Sequence, residues 1–280
     1  MKLSLGITPR DYSVAGSVTY DADALAYFTA NTAITSAADK NAINTFYLGL
    51  KSDGIYTKIK AMYLPIWGSA ATSKWNLKDP RDLDAAFRLT FTTGWTYSSG
   101  GITGNGTSAY ADTFLTPRSN LTSMNSHFSV YSRTNTTGTS VDLGCQDDVG
   151  GTGQEYYAVI KNASNLSFVQ IQPNTTLSFG DTDSRGMYIG VRQSTTDWRA
   201  YKNNTLKSFS GLLSSAQLPN IKSLLGCQNY RNSGGTLSQS LYSIHQCSFY
   251  SMGDGLTNTE VSNLSNRVNT LMTYFGLNVY

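Results

Sequence analysis

Charge is what this chain has least of. Asp, Glu, Lys and Arg make up 14% of its 280 residues, against roughly 25% in an average domain. The formal net charge of +3 is not concentrated in any Lys or Arg run, so the field is too weak to hold nucleic acid or an anionic membrane. The three cysteines, Cys145, Cys227 and Cys247, form neither a disulfide framework nor a C-x-x-C metal pattern, and read as buried free thiols. The opening "MKLSLGITPRDYSV" lacks the apolar core of a secretory signal, and no stretch reaches the length of a membrane span. The expectation is a soluble chain made in the cytosol. Glutamate occurs twice, as Glu155 and Glu260, which leaves few carboxyls of that type for acid–base work.

What is abundant is Ser, Thr, Asn, Gly and Tyr, a surface of hydroxyls and amides. Asn-x-Ser/Thr triplets, as at Asn105, Asn120, Asn135, Asn165, Asn174 and Asn263, reflect that richness rather than glycosylation. The length suffices to bury about three quarters of the unfolded surface in one large β domain or two smaller ones.

Helical signals sit at the two ends. "DADALAYFTAN" begins with acidic residues suited to a helix N-terminus. "TSAADKNAINTFYLGLKSDG" then places Ile43, Phe46, Tyr47 and Leu50 on one face and stops at Gly54. At the other end, Thr257 and Glu260 form a capping box. Val261, Leu264, Val268, Leu271 and Phe275 follow at three- or four-residue spacing, with Gly276 as the stop. Between them, from the Ile59, Ala61, Tyr63 alternation onward, segments such as "HFSVYSRT", "EYYAVIKN" and "RGMYIGVRQ" read as short strands between Gly, Asn and Asp turns. Many such strands argue for a sandwich. Asn203-Asn204 predicts a tight hairpin. "LGCQD" at Leu143 and "LGCQN" at Leu225 read as two similar strands, not a duplication.

The hairpin "WRAYKNNTLKSFS", the strand "KSLLGCQN" and the run "YSIHQCSFYSMGDGLTNTEVSNL" together resemble the closing half of concanavalin A-like, laminin-G-like jelly rolls. Upstream, "YLPIWGSAATSKWNLKDPRDLDAAFRLTFTTGW", with Asn76 to Pro80, then "NGTSAYADTFLTP" and "SHFSVYSRT", is similar to a run in tailed-bacteriophage virion proteins that carry this lectin-like domain. The resemblance spans about four fifths of the chain. It implies a mainly β, concanavalin A-like jelly-roll sandwich over 59–280, ending in a packing helix at 258–275. Residues 1–58 would be an arm and a helical attachment segment. The first twenty residues or so fall outside the resemblance, as an extended arm for attachment or a disordered end.

Catalytic patterns are thin. Glu260 is consumed by the cap, Glu155 lacks a Glu-x-Asp-x-Glu strand pattern, and the pairs Asp147-Asp148 and Asp181 with Asp183 read as turn residues. His127 and His245 stand in no G-x-S-x-G or H-E-x-x-H context and read as packed imidazoles. Asp181 and Asp183 offer oxygen ligands at a spacing that suits a calcium loop, but a solvated turn is preferred and no metal or cofactor is assigned. A sugar site needs an aromatic platform beside amides or hydroxyls; the candidates are Trp67, Trp75, Trp95, Tyr97, Tyr110, Trp198 and Tyr230.

Taken together, these features and the resemblance imply a non-enzymatic virion surface protein: a head fibre, capsid decoration protein or tail appendage. It would work by assembly as a homo-oligomer, a trimer as in many phage fibres, with other virion proteins as partners. A host-glycan-binding adhesin is the alternative, and a polysaccharide depolymerase the third reading.

Overall fold

Strands with an apolar side chain at every second position must bury one face, and here two sheets bury theirs against each other. The computed structural model describes residues 19–122, 124–151, 153–171, 177–211 and 217–280. The expected arm over the first residues falls mainly on 1–18, outside the described residues. The chain runs α1 (Ala22–Ala30), α2 (Ala37–Ser52), β1 (Ile59–Tyr63), α3 (Ala70–Ser73), β2 (Thr90–Phe91), β3 (Thr96–Ser98), β4 (Gly101–Thr103), β5 (Ala111–Asp112), α4 (Pro117–Asn120) and β6 (Ser126–Ser132). It continues with β7 (Leu143–Asp147), β8 (Gln154–Val159), β9 (Leu166–Gln170), β10 (Leu177–Gly180), β11 (Gly186–Ser194), β12 (Asp197–Lys202) and β13 (Thr205–Ser210). The last elements are β14 (Leu224–Leu225), β15 (Gln228–Arg231), β16 (Leu237–Ser240), β17 (Gln246–Asp254) and α5 (Asn258–Tyr274).

The first sheet has the order β13-β12-β11-β6-β17-β4-β3, with β1 also on β17, and the second β10-β9-β8-β7-β14-β5-β2. The two LGCQ segments are neighbours: Leu225 pairs antiparallel with Leu143, and past Gly226 the chain returns as β15, parallel to β7, with β16 beyond it. Phe128, Val130, Tyr188, Trp198, Tyr250 and Met252 of the first sheet meet Leu143, Cys145, Tyr156, Ala158 and Val169 of the second. The Phe128 and Tyr156 rings touch edge to face at 5.2 Å, and the Tyr156 hydroxyl donates to the His127 carbonyl at 2.6 Å. The mainly β sandwich read from the sequence is the observed fold. All three cysteines are buried and free, and desolvation raises each thiol pKa.

The helices form a third layer. On the outer side of the first sheet, Tyr131, Met187, Ile189, Val191, Tyr201 and Phe249 pack in one cluster with Phe46 and Leu50 of α2 and with Val261, Leu264, Val268 and Leu271 of α5. Strands β6 and β11 are therefore buried on both faces over most of their length. The capping box of α5 forms as the sequence predicts: the Thr257 side chain accepts from the Glu260 N–H, and Glu260 accepts from the Thr257 N–H at 2.7 Å. Glu260 also pairs with Lys58 at 2.6 Å, tying the helix start to the approach of β1. Burial works against the Glu260 charge, but Lys58 and the cap outweigh it and hold the carboxyl below its usual range. The hairpin between β12 and β13 turns on Asn203 and Asn204, both at positive φ (48° and 64°), the conformation that a two-residue hairpin of this twist requires.

Two polar clusters lie inside the sandwich. Asp181 is no solvated turn residue: its carboxylate accepts from the Lys202 ammonium at 2.5 Å, the Ser167 hydroxyl at 2.9 Å and the Tyr188 hydroxyl. Asp183 faces solvent and pairs with Arg185 at 2.7 Å. The two carboxylates thus serve different partners, and burial of Asp181 by three donors is why the loop reading fails for it. Elsewhere His245 and Asp142 are fully buried and 2.8 Å apart. Asp142 also accepts from Ser243 at 2.5 Å and from the Ile160 N–H at 3.1 Å.

Candidate functional site: the uncovered face of the second sheet

While helices cover the outside of the first sheet, no helix among the described residues packs on the outside of the second. Alternation decides what that face presents. In β8, Tyr156 and Ala158 point into the core, so Glu155 and Tyr157 point out; in β7, Cys145 points in and Gln146 out.

Register brings these residues together. Gln146 stands opposite Glu155 on one side and Tyr230 on the other, while Tyr157 stands opposite Gln170 of β9 and hydrogen-bonds to it. The Gln228 amide donates to the Gln146 carbonyl oxygen at 2.8 Å. Gln146 donates in turn to Asp148 at 3.1 Å, which also accepts the Tyr230 hydroxyl at 2.8 Å. Gly144 makes room: a Cβ there would meet the Tyr157 Cβ at 2.3 Å, and its φ of 144° suits glycine. The result is a platform of two partly exposed tyrosines, the Gln146 amide and two carboxyls, backed by the buried amides of Gln170 and Gln228 and cross-linked so that its side chains are held before any ligand arrives.

The carboxyls sit in different environments. Burial first, and the nearby Asp148 charge second, push Glu155 up to about 7, so near neutral pH it can donate or accept a hydrogen bond. Asp148 instead receives two donors. Tyr157 and Tyr230 are both raised above the ordinary phenol value, Tyr157 chiefly by burial and Tyr230 by its bond to Asp148, so both keep their protons at neutral pH.

The candidate aromatics fall mostly elsewhere. Trp198 is 2% exposed inside the sandwich core, and its assignment as a contact residue is corrected: β12 turns it inward. Trp67 and Trp75 belong to the helical side. Trp67 donates to the Tyr27 hydroxyl at 2.9 Å and packs on Phe275, while the Trp75 ring lies under the Lys74 ammonium. Trp95 and Tyr97 both pack on Phe91, and Trp95 donates to the Tyr110 carbonyl at 3.1 Å. Burial pushes the Tyr97 phenol up to about 12. Tyr110 lines a separate cleft beside β15. Of the aromatics considered, Tyr230 alone is on the platform. Gln146, Tyr157, Gln170 and Gln228 were missed, and Glu155 was weighed and set aside, although the in–out alternation of "QEYYAV" already separates Glu155 and Tyr157 from Tyr156 and Ala158.

No protein-family model matches the chain, and no curated protein does. Solved structures do. A Trypanosoma rangeli sialidase mutant displaying trans-sialidase activity is similar at 12% identity and a TM-score of 0.49, over 82% of this chain and 39% of that one. Domain 4 of AbnA, a GH43 extracellular arabinanase from Geobacillus stearothermophilus, solved with arabinotriose, is similar at 14% identity and a TM-score of 0.42, over 74% and 98%. The chain therefore spans about two fifths of the length of the sialidase it matches. The expectation of a non-enzymatic chain is corrected on this finding: sialidases and part of an arabinanase are among the chains with a similar fold, so enzyme activity is no longer excluded.

Proposed function

We propose that this chain recognises carbohydrate on the uncovered face of its second sheet. The observation that carries the reading is the register of Tyr157 and Tyr230 with Gln146, Gln170 and Gln228 on one face. A pyranose offers an apolar face to an aromatic ring and hydroxyls to polar side chains, and the partly exposed Tyr157 and Tyr230 rings with Gln146 and Glu155 supply both, while the buried Gln170 and Gln228 hold Tyr157 and Gln146 in place. The names of the structural neighbours, sialidases and an arabinanase domain holding arabinotriose, are in keeping with a sugar ligand. The virion surface as location, the homo-oligomer with its virion partners, the concanavalin A-like relationship and the attachment role of residues 1–58 rest on the sequence resemblance and belong to the same proposal.

On a glycan array the chain is expected to bind a defined subset of glycans, and Tyr157→Ala to lose that binding while still unfolding in one cooperative transition above the assay temperature. Binding should also weaken as the pH rises through about 7, where Glu155 loses its proton and can no longer donate to a sugar hydroxyl. A folded chain that binds no glycan, or a Tyr157→Ala variant that binds as wild type, refutes the reading.

Glu155 supports a second reading, hydrolysis of the bound glycan. A carboxyl near 7, able to give up a proton near neutral pH, lies beside Asp148, which accepts the Tyr230 hydroxyl and the Gln146 amide. Under it, reducing-sugar release from the bound polysaccharide should vanish in Glu155→Gln while binding stays. Absence of release by the wild type would leave recognition alone.

A further inference from the structure

We propose that the cleft under the β15–β16 hairpin is a second ligand site, which takes a sugar bearing a carboxylate. The site goes beyond the platform and does not depend on it. Strand β15 alternates between the two: Tyr230 faces the platform, whereas Asn229 and Arg231 line the cleft, which has a volume of about 420 Å³. Tyr110 and Leu237, the latter 54% exposed, supply apolar surface at its walls. Lys222 and Gln239 complete the lining that matters for recognition.

Each cation of the cleft is paired with a carboxylate, Arg231 with Asp147 and Lys222 with Asp112 of the lining, and each of those carboxylates is already engaged by more than one donor. Asp147, beneath Arg231, accepts from Arg231 Nε at 3.0 Å and Nη2 at 2.5 Å, and from the Val149 and Asn220 N–H groups at 3.2 and 3.1 Å. Its lone pairs are taken. Asp112, also in the lining, accepts one donor at each oxygen, the Phe114 N–H at 2.7 Å and Lys222 Nζ at 2.7 Å. The cations are not used up. Arg231 Nη1 has no hydrogen-bond partner among the described residues, and Lys222 Nζ, which lies 4.3 Å from the centre of the Phe114 ring and has Asp112 as its one hydrogen-bond partner among them, keeps two of its three hydrogens.

The lining is also fixed in place. Asn229 donates to the Lys222 carbonyl at 2.8 Å and accepts from Gln239 at 3.1 Å, which ties the hairpin to the Lys222 segment. Two cationic donors with spare hydrogens, over an amide lattice and beside apolar walls, suit a ligand with an anionic oxygen pair on a partly apolar ring. A carboxylated sugar has that chemistry, and hexuronates and sialic acids share it.

The test is calorimetric titration of the full chain with a glucuronate-terminated disaccharide, with sialyllactose and with lactose as the neutral control. At least one acidic sugar is expected to bind more tightly than lactose, and to bind less well as salt is raised. Lys222→Gln should weaken that binding by at least about fivefold, and Leu237→Ala, at an exposed position that the fold does not need, should weaken it too. Tyr157→Ala on the platform should leave it unchanged. The proposal is overturned if lactose binds as well as both acids, if neither acid binds the folded chain, if Lys222→Gln and Leu237→Ala both keep wild-type affinity, or if Tyr157→Ala abolishes acid binding. Failure of the platform reading has a different signature, namely loss of neutral-glycan binding with the acid response intact.

Discussion

Ending the chain before Thr257 is expected to leave a protein that does not remain folded and monomeric. The helix α5 is a lid by composition and by contact. Val261, Leu264, Val268 and Leu271 are all 2% exposed or less, and the surface they cover includes Tyr131, Ile189, Val191 and Phe249. Their loss would uncover large apolar side chains on the outer faces of β6, β11 and β17, a patch that associates with other copies. Leu264→Ala alone should cost about 2 to 5 kcal/mol, since α2 and the sheet hold the surrounding side chains and the cavity cannot close fully. Denaturant unfolding of the point variant and light scattering of the truncated chain measure the two effects. A truncated chain that stays monomeric with an unchanged melting temperature would mean that the stripe serves a neighbouring subunit instead.

Asp142→Ala should be nearly as damaging, by about 3 to 5 kcal/mol, because it leaves a buried imidazole with its ionic partner gone. His245 faces Asp142 through Nδ1 and the Thr136 carbonyl through Nε2 at 3.3 Å. With acceptors at both nitrogens the ring is best satisfied when both are protonated. Burial opposes that charge, as does Lys161, but the Asp142 carboxylate prevails and the ring is raised above 6.5. The stabilisation from His245 is therefore complete below pH 6.5 and fades as the pH rises through the folded-state value. His127 runs the other way. Burial lowers it from 6.5 to about 4, so it remains neutral in the fold, and its contribution is lost as the pH falls from 6.5 towards 4. Unfolding midpoints measured from about pH 4 to about pH 9 should fall on both sides, and Asp142→Ala should flatten the alkaline side. An alkaline limb identical in wild type and variant would contradict the assignment.

How legible these features were depends on how local their causes are. The capping box at Thr257 and Glu260 and the Asn203-Asn204 turn depend on side chains within four residues of one another, and both stand as read. The sandwich was legible too, since alternation is a property of each strand alone. The platform was not. Its members come from β7, β8, β9 and β15, and they meet through the parallel pairing of β15 with β7 and the antiparallel β7-β8-β9 ladder, which no single strand encodes. Aromatic size also misled. Trp198 is large enough to fill the core and does so, whereas Tyr157, less conspicuous in sequence, is partly exposed where Gly144 leaves it space. Asp148 and Asp181 looked alike as turn acids, yet one receives Tyr230 and Gln146 at the platform and the other is buried against Lys202.

The most direct test of carbohydrate recognition on the second sheet is to map backbone amide chemical shifts of the isotope-labelled chain during titration with its best-bound array glycan. The account predicts saturable shifts concentrated at Gln146, Glu155, Tyr157, Gln170, Gln228 and Tyr230, with the helical side around Trp67 and Trp75 unchanged. Shifts confined to the helical side or to the Phe91, Trp95 and Tyr97 cluster, with the second sheet silent, would contradict it.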